Sequence, residues 1–537
     1  MKEKVYLVCL LLLAYGCLTA QAAGWNWAVS AGSSSTDKGW AVDRDAQGNV
    51  YICGEFSGSA TFGSNTLSSR GGADIFVAKL DAEGNWLWVS QAGGNMNDIA
   101  YDVAVDTSGN VLVTGLYRNG AVFGNTTLSS TGSYTNIFVA KLDANGNWLW
   151  ATRAGAGSAN DEGRSLALDS SGNAIVTGCF RLTAYFGSYP ITSSGNDDIF
   201  VAKISPAGTW LWAKKAGGDG QDRGYGVTLD SGGNIWLTGK YESTASFGDS
   251  SLTSLGGSDI FVARLDSSGN WLWATSAGGS QPDEGKDLVC SPSGGAYLCG
   301  IFRDGASFGA ITLTGAGEND IFAAALDGAG NWLWASNAGG TLADHAYGIG
   351  LDAGGGIGIC GTFQGQASFG SHSLASSGYG DIFAARLDNQ GAWTWAQGWG
   401  GADNDFAYGL QMDSGGDLLL CGSYAASFNL GAHPLVNTGG ADIFAAELSW
   451  LSAPQPREPE GLQAERIGSD IRLCWLPVAY DTAGNQLSPS GYRVYYQPQD
   501  ADGVYQYLGV SSSTDFIHSG AAALPRGFYK VTAFTNR

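Results

Sequence analysis

Between Tyr101 and Arg153 the chain alternates short apolar runs with tight polar turns. Tyr101 to Asp106 places Tyr or Val at every second position, which predicts a strand. Asp106-Thr107-Ser108-Gly109-Asn110 predicts a hairpin turn, and Val111 to Tyr117 the next strand. A longer connection carries Phe123-Gly124. Asn136 to Asp143 then predicts a third strand, and Trp148 to Arg153 a fourth after a second tight turn. Four antiparallel strands in one repeat unit describe a propeller blade.

The unit recurs with a period of about 61 residues. Asp-Ile-Phe returns at Asp74, Asp198, Asp259, Asp320, Asp381 and Asp442, with Asn136 in the same place once. A Trp-Leu-Trp-like segment follows the first six copies, its second tryptophan at Trp88, Trp150, Trp212, Trp273, Trp334 and Trp395. The seventh copy lacks that segment, and an equivalent one stands near the N-terminus, ending in Trp27. A linear array ends in capping repeats, whereas a ring can borrow its last strand from its first residues. The expected fold class is therefore all-β: a seven-bladed β-propeller over 24–449, closed by the N-terminal strand. Closure of this kind places the Trp-Leu-Trp strand at the rim and the Asp-Val-Ala-Val-Asp strand along the central channel. Trp148 and Trp150 lie two apart, face one side and are expected to wedge against the next blade. The repeated Phe-Gly pairs read as blade anchors.

The formal charge of −22 suggests a cationic partner until its sources are traced. Asp45, Asp106, Asp169, Asp230, Asp352 and Asp413 open one set of turns, and Asp81, Asp143, Asp266, Asp327 and Asp388 a second. Such side chains hydrogen-bond backbone amides two residues on, and the following Gly takes positive φ. These turns, with the Asp before Ile-Phe and a further ring below, account for about half of the 49 acidic residues. The acidity argues against nucleic acid, whose phosphates want Lys and Arg. Cys53, Cys299, Cys360 and Cys421 share one repeat position with Thr114, Thr177 and Thr238, so free buried thiols are expected rather than disulfides.

The Asp-x-x-Gly-Asn turns, the Thr-Gly or Cys-Gly of the second strand and "DIFVAKLD" resemble the SBBP-type β-propeller repeats of secreted bacterial proteins. The resemblance implies a cell-surface or extracellular scaffold and brings no catalytic set. Residues 1–22 fit a secretory signal peptide: Lys2 and Lys4, an apolar run from Val5 to Leu18, and Ala20-Gln21-Ala22 for cleavage. Cys17 after Gly16 raises lipidation, but Ala14 and Tyr15 depart from a lipobox. No other segment has the ~20 apolar residues of a membrane helix. The expected location is secreted or at the cell surface.

Composition shifts at a proline-rich linker, 450–458. Beyond it, 459–537 alternates apolar residues at Ile471, Leu473 and Trp475, at Tyr492, Val494 and Tyr496, and at Tyr529, Val531 and Ala533. This resembles a fibronectin type III sandwich with Trp475 at its core. It departs from that pattern by stopping where a last strand should begin, so its edge is either open or completed by something else.

Chemistry is sought where the blades differ. Asp37, Asp98, Asp161, Asp222, Asp283, Asp344 and Asp405 stand at the entrance to each inner strand. Seven carboxylates could ring a cation, but each is expected to cap its own turn, and no metal is assigned. Three residues on, Trp40, Tyr101, Tyr225, Tyr347 and Tyr408 are aromatic while Arg164 and Lys286 are cationic. Aromatic rings with a few polar groups suit sugars, and with Arg they suit protein partners. This channel-mouth ring is the expected ligand site; tyrosines packing between inner strands is its structural alternative. His345, His372, His433 and His518 occupy unrelated repeat positions without metal-ligand spacing. No cofactor is expected. The sequence reads as a non-catalytic binding or scaffold protein for a protein or glycan partner. A propeller hydrolase or lyase using channel-mouth carboxylates, and a structural component of an envelope or matrix, are the alternatives.

Overall fold

The computed structural model describes residues 23–130, 133–450, 462–467, 470–477, 491–498, 506–519 and 527–534. The leader at 1–22 lies outside the described residues, as does the linker at 450–458 beyond Trp450. Every regular element among the described residues is a β-strand, and none of those residues forms a helix long and apolar enough to cross a membrane. The chain divides into two compact units, Trp25–Ser449 and a second that includes Trp450–Arg537.

In the second repeat, strands Ile99–Val105, Val111–Arg118, Thr135–Leu142 and Trp148–Ala154 form one antiparallel sheet in sequence order. The Val-rich strand is one edge and the tryptophan strand the other, as the pattern predicts. The connection around Phe123-Gly124 holds more structure than expected. It is a hairpin, Ala121–Phe123 with Thr126–Leu128, and it pairs with the outer strand Trp86–Gly93 of the preceding repeat, Phe123 opposite Ala92. An outer strand exposes unpaired backbone groups, and the hairpin occupies part of that edge.

The segment Ala23–Gly32 hydrogen-bonds Asp442–Trp450, joining strands from opposite ends of the repeat series. Asn26 Nδ2 donates to Glu447 Oε2 at 3.0 Å, and Thr438 Oγ1 donates to the Ser33 carbonyl at 2.9 Å. First strands of successive repeats lie side by side from Lys38–Arg44 to Asp405–Met412, and the last also lies beside the first.

The outer strands are tied together by tryptophan. Trp148 meets Phe123 edge to face, centroids 5.1 Å apart, and donates its indole N–H to the Gln91 carbonyl of the preceding repeat at 3.0 Å. The second tryptophan points onward: Trp88 donates to the Ala144 carbonyl, and Trp150 to that of Pro206. Gly146 fits this contact twice over. Its φ is +81°, and a Cβ there would lie 2.7 Å from Trp88 Cε3. The turn geometry and the ring above both demand glycine. Between the strands, Cys53, Cys299, Cys360 and Cys421 are fully buried free thiols. Thr114 at the equivalent place donates to the Phe138 carbonyl at 2.9 Å.

In the second unit, two three-stranded antiparallel sheets are described. One joins Gln463–Ile467, Asp470–Cys474 and Asp515–His518; the other joins Gln506–Ser511, Gly491–Pro498 and Gly527–Phe534. Leu473, Trp475, Tyr492, Val494 and Val531 form their buried cluster.

Candidate functional site

Each position of the expected ring stands out in the backbone first. Strand pairing skips one residue at Trp40, Tyr101, Arg164, Tyr225, Lys286, Tyr347 and Tyr408, where a β-bulge breaks the register. A bulge bends the strand and re-aims its extra side chain. All seven are half-buried and line one cavity of about 140 Å³. That is close to the ~150 Å³ void that holds a benzene-sized ligand.

The ring packs partly on itself. Trp40 lies tilted against Tyr408 (4.4 Å between centroids) and meets Tyr101 edge-on (5.4 Å), while Tyr347 meets Tyr408 at 5.3 Å. The Arg164 guanidinium sits 4.1 Å from the Tyr101 ring centre and the Lys286 ammonium 4.7 Å from that of Tyr225. Burial pushes the Tyr101 and Tyr408 phenols up to about 12, so both are neutral donors at physiological pH. The two cations are fixed from two residues earlier on their own strands: Glu162 pairs with Arg164, and Glu284 with Lys286 and Lys240. Burial pushes the Glu284 carboxyl up, but Lys286 and Lys240 outweigh it and hold the group down to about 2. The tyrosines thus do pack between inner strands, while their faces and the two cations border the cavity.

Sequence reading did not single out the residue after each bulge. Asp102, Ser165 and Asp287 line the same cavity, where other repeats carry Gly348 and Gly409. Asp102 accepts the Leu166 N–H at 2.7 Å and the Ser165 hydroxyl at 2.9 Å; Asp287 accepts the Ile349 N–H at 3.2 Å. Each therefore straps its own inner strand to the next. Burial raises Asp102 to about 7 and Asp287 to about 6, and the charge of Asp287 adds to the rise at Asp102.

The aspartate ring takes a different role from a cation cage. Asp98 is fully buried, accepting the Gly94 N–H at 2.7 Å and the Arg118 N–H at 2.9 Å. Asp37, Asp161, Asp222, Asp283, Asp344 and Asp405 repeat this arrangement. The expectation of a cap on its own turn covers only one of the two bonds. The other reaches twenty residues on, to the end of the next strand. Among the described residues no three His, Cys, Asp or Glu side chains gather as a metal site.

A second cavity of about 360 Å³ lies where the third repeat departs from the others, lined among others by Tyr134, Asn160, Glu162, Arg181, Asp197 and Arg223. Two signals in the sequence mark it. One residue is inserted between Gly155 and Asp161 relative to Gly93 and Asp98, and charged residues stand at positions that vary between repeats.

The family model of the SBBP β-propeller repeat matches residues 87–116 and 149–178. An uncharacterized WD repeat-containing protein of Acanthamoeba polyphaga mimivirus is 21% identical over 499 residues, covering 74% of this chain and 36% of the relative. Regulatory protein FlaEY of Caulobacter vibrioides is 30% identical over 169 residues, covering 30% of this chain and 17% of the relative. The chain thus spans well under half the length of either. Among solved structures, an ulvan lyase is similar at 10% identity and a TM-score of 0.43, with 77% of this chain and 95% of that one covered. The matched repeats, the WD repeat-containing relative and the all-β architecture together support a β-propeller repeat protein.

Proposed function

We propose that this chain is an exported, non-catalytic binding or scaffold protein whose channel mouth recognises a protein or glycan partner. In this reading seven repeats form one ring, closed by the strand Ala23–Gly32 and followed by a fibronectin type III-like module that serves as spacer or docking element. The pairing of Ala23–Gly32 with Asp442–Trp450 supports the closure. The two three-stranded sheets around Trp475 support the module.

The observation that carries the reading is the convergence of seven bulged, divergent side chains on one cavity. A bulge at the same place in every repeat is architecture; a different side chain on it is a choice. Five aromatic rings with two cations offer stacking surfaces and fixed donors, the means by which sugar faces or aromatic-rich peptides are held. Glycan-array binding by the full chain tests this against a variant with Tyr101, Tyr225, Tyr347 and Tyr408 changed to Ala. Binding lost in the variant supports a glycan ligand, and binding by neither protein rejects it.

A hydrolase or lyase reading draws on Asp102 and Asp287, two carboxylates with raised pKa values in one cavity. The strapping bonds described above favour a structural role for both. Polysaccharide cleavage that disappears in Asp102→Asn and Asp287→Asn, with melting temperature retained, would reverse that preference.

A further inference from the structure

We propose that the larger cavity of the third repeat is a binding site for a carboxylate-bearing sugar, a hexuronate. The proposal is independent of the channel-mouth reading.

The cavity is built by departures from the repeat. Positions two residues before each bulge are Lys38, Ile99, Glu162, Arg223, Glu284, His345 and Phe406, so Arg223 is the one arginine among them, while Glu162 recurs as Glu284. Asp197 stands where the others carry Ala73, Thr135, Ser258, Asn319, Gly380 and Ala441. Residues that only build the repeats recur in them; Arg223 and Asp197 do not.

Its charges leave a guanidinium surplus. Asp197 is shared between Arg181 Nε (3.1 Å) and Arg223 Nη2 (2.7 Å), and Arg181 Nη2 donates to Asn196 Oδ1 at 3.2 Å. Glu162 is already paired with Arg164. One positive charge therefore remains unbalanced among these groups, inside a chain of formal net charge −22. Arg181 and Arg223 both line the cavity, and Asp197 occupies one nitrogen of each. Guanidinium groups bind carboxylates through paired charge-assisted hydrogen bonds.

The rest of the wall suits a sugar better than a bare carboxylate. Asn160 Oδ1 accepts the Thr135 N–H at 3.1 Å, which turns its amide NH₂ away from that bond. Gln221 and Ser158 add an amide and a hydroxyl to the lining. Tyr134 stands at the wall with 46% of its surface exposed, an open aromatic face for a pyranose ring. A volume of about 360 Å³ falls within the range of small-molecule sites, about 300–1,000 Å³.

The test is calorimetric titration of the full chain with glucuronate, its uncharged methyl ester and glucose. Glucuronate is expected to bind about tenfold more tightly than either neutral sugar. Arg181→Gln, at a partly exposed position, is expected to weaken glucuronate about tenfold with an unchanged melting temperature. The four-tyrosine channel variant is expected to bind glucuronate as the native chain does. Equal affinity for the three sugars, no binding of any, or full affinity in Arg181→Gln overturns the proposal. Loss of glucuronate in the channel variant overturns it too, by moving the ligand to the channel.

Discussion

The turn aspartates and the aspartates that bracket the inner strands are one residue type in opposite electrostatic states. Asp106 opens a turn near solvent, accepting the N–H groups of Ser108 and Asn110 and the Asn110 amide. Burial pushes its carboxyl up, but these donors and Lys141 outweigh it and hold it below the usual range. Asp98 also accepts two backbone N–H groups, yet burial dominates and raises it to about 7. The difference teaches that hydrogen bonds alone do not set an acid's charge; the solvent it gave up does. Repetition multiplies both effects around the structure.

The largest expected effect is therefore on pH dependence, since every repeat contributes. Bracket aspartates have folded pKa values above their ordinary 3.8, so their stabilising protons are fully bound below about pH 4 and lost as pH rises through about 7. Turn aspartates are shifted down, Asp230 to about 2, so their contribution is present above about pH 4 and lost toward pH 2. Melting temperature should peak near pH 4–5. A melting temperature that is flat or rising between pH 4.5 and 7.5 would break the comparison.

Next in size is Asp98→Ala, which removes a fully buried carboxylate from two partly buried backbone N–H groups and should cost about 3–5 kcal/mol. Asp106→Ala, whose amides can turn to water, should cost about 1–2 kcal/mol. Urea unfolding midpoints of the two variants measure the gap, and equal costs would deny burial its role.

The turns themselves divide in the same way. Gly146→Ala meets both a positive φ and the Trp88 ring, whereas Gly233→Ala, at φ +78°, has its nearest neighbour 3.9 Å away. The first should cost about 2–3 kcal/mol and the second about 1 kcal/mol, readable in the same titrations. The smallest effect is expected for Asp74→Asn. Asp74 Oδ1 has no hydrogen-bond partner, and the second repeat already carries Asn136 there. A change under about 1 kcal/mol at neutral pH is expected, and a larger one would give that oxygen a role of its own.

Periodicity made most of this architecture legible. Alternation in Tyr101 to Asp106 located an inner strand, the spacing of Trp148 and Trp150 located the rim, and Asp-Gly-Asn chemistry located the turns. The seven residues that line the smaller cavity are marked by disagreement between aligned repeats. The bulge beneath that ring escaped, because one skipped residue leaves the apolar alternation almost intact. The Phe123 hairpin was read as a connection, since its three-residue strands pair with another repeat and show no pattern of their own. The strapping aspartates and the Arg181–Asp197–Arg223 cluster escaped for a further reason. Their partners lie on neighbouring repeats, tens of residues away, where no local motif records them.

The pairing of Ala23–Gly32 with Asp442–Trp450 has a consequence in time. A chain made from its N-terminus produces one strand first and its partner more than four hundred residues later. Until then Ala23–Gly32 has only the nearby strand Ser59–Phe62 to pair with, and its sheet is completed when Asp442–Trp450 emerges. Loop closure grows costly only slowly with length, so the delay is set by synthesis rather than by entropy. A strand made early here completes its pairing late.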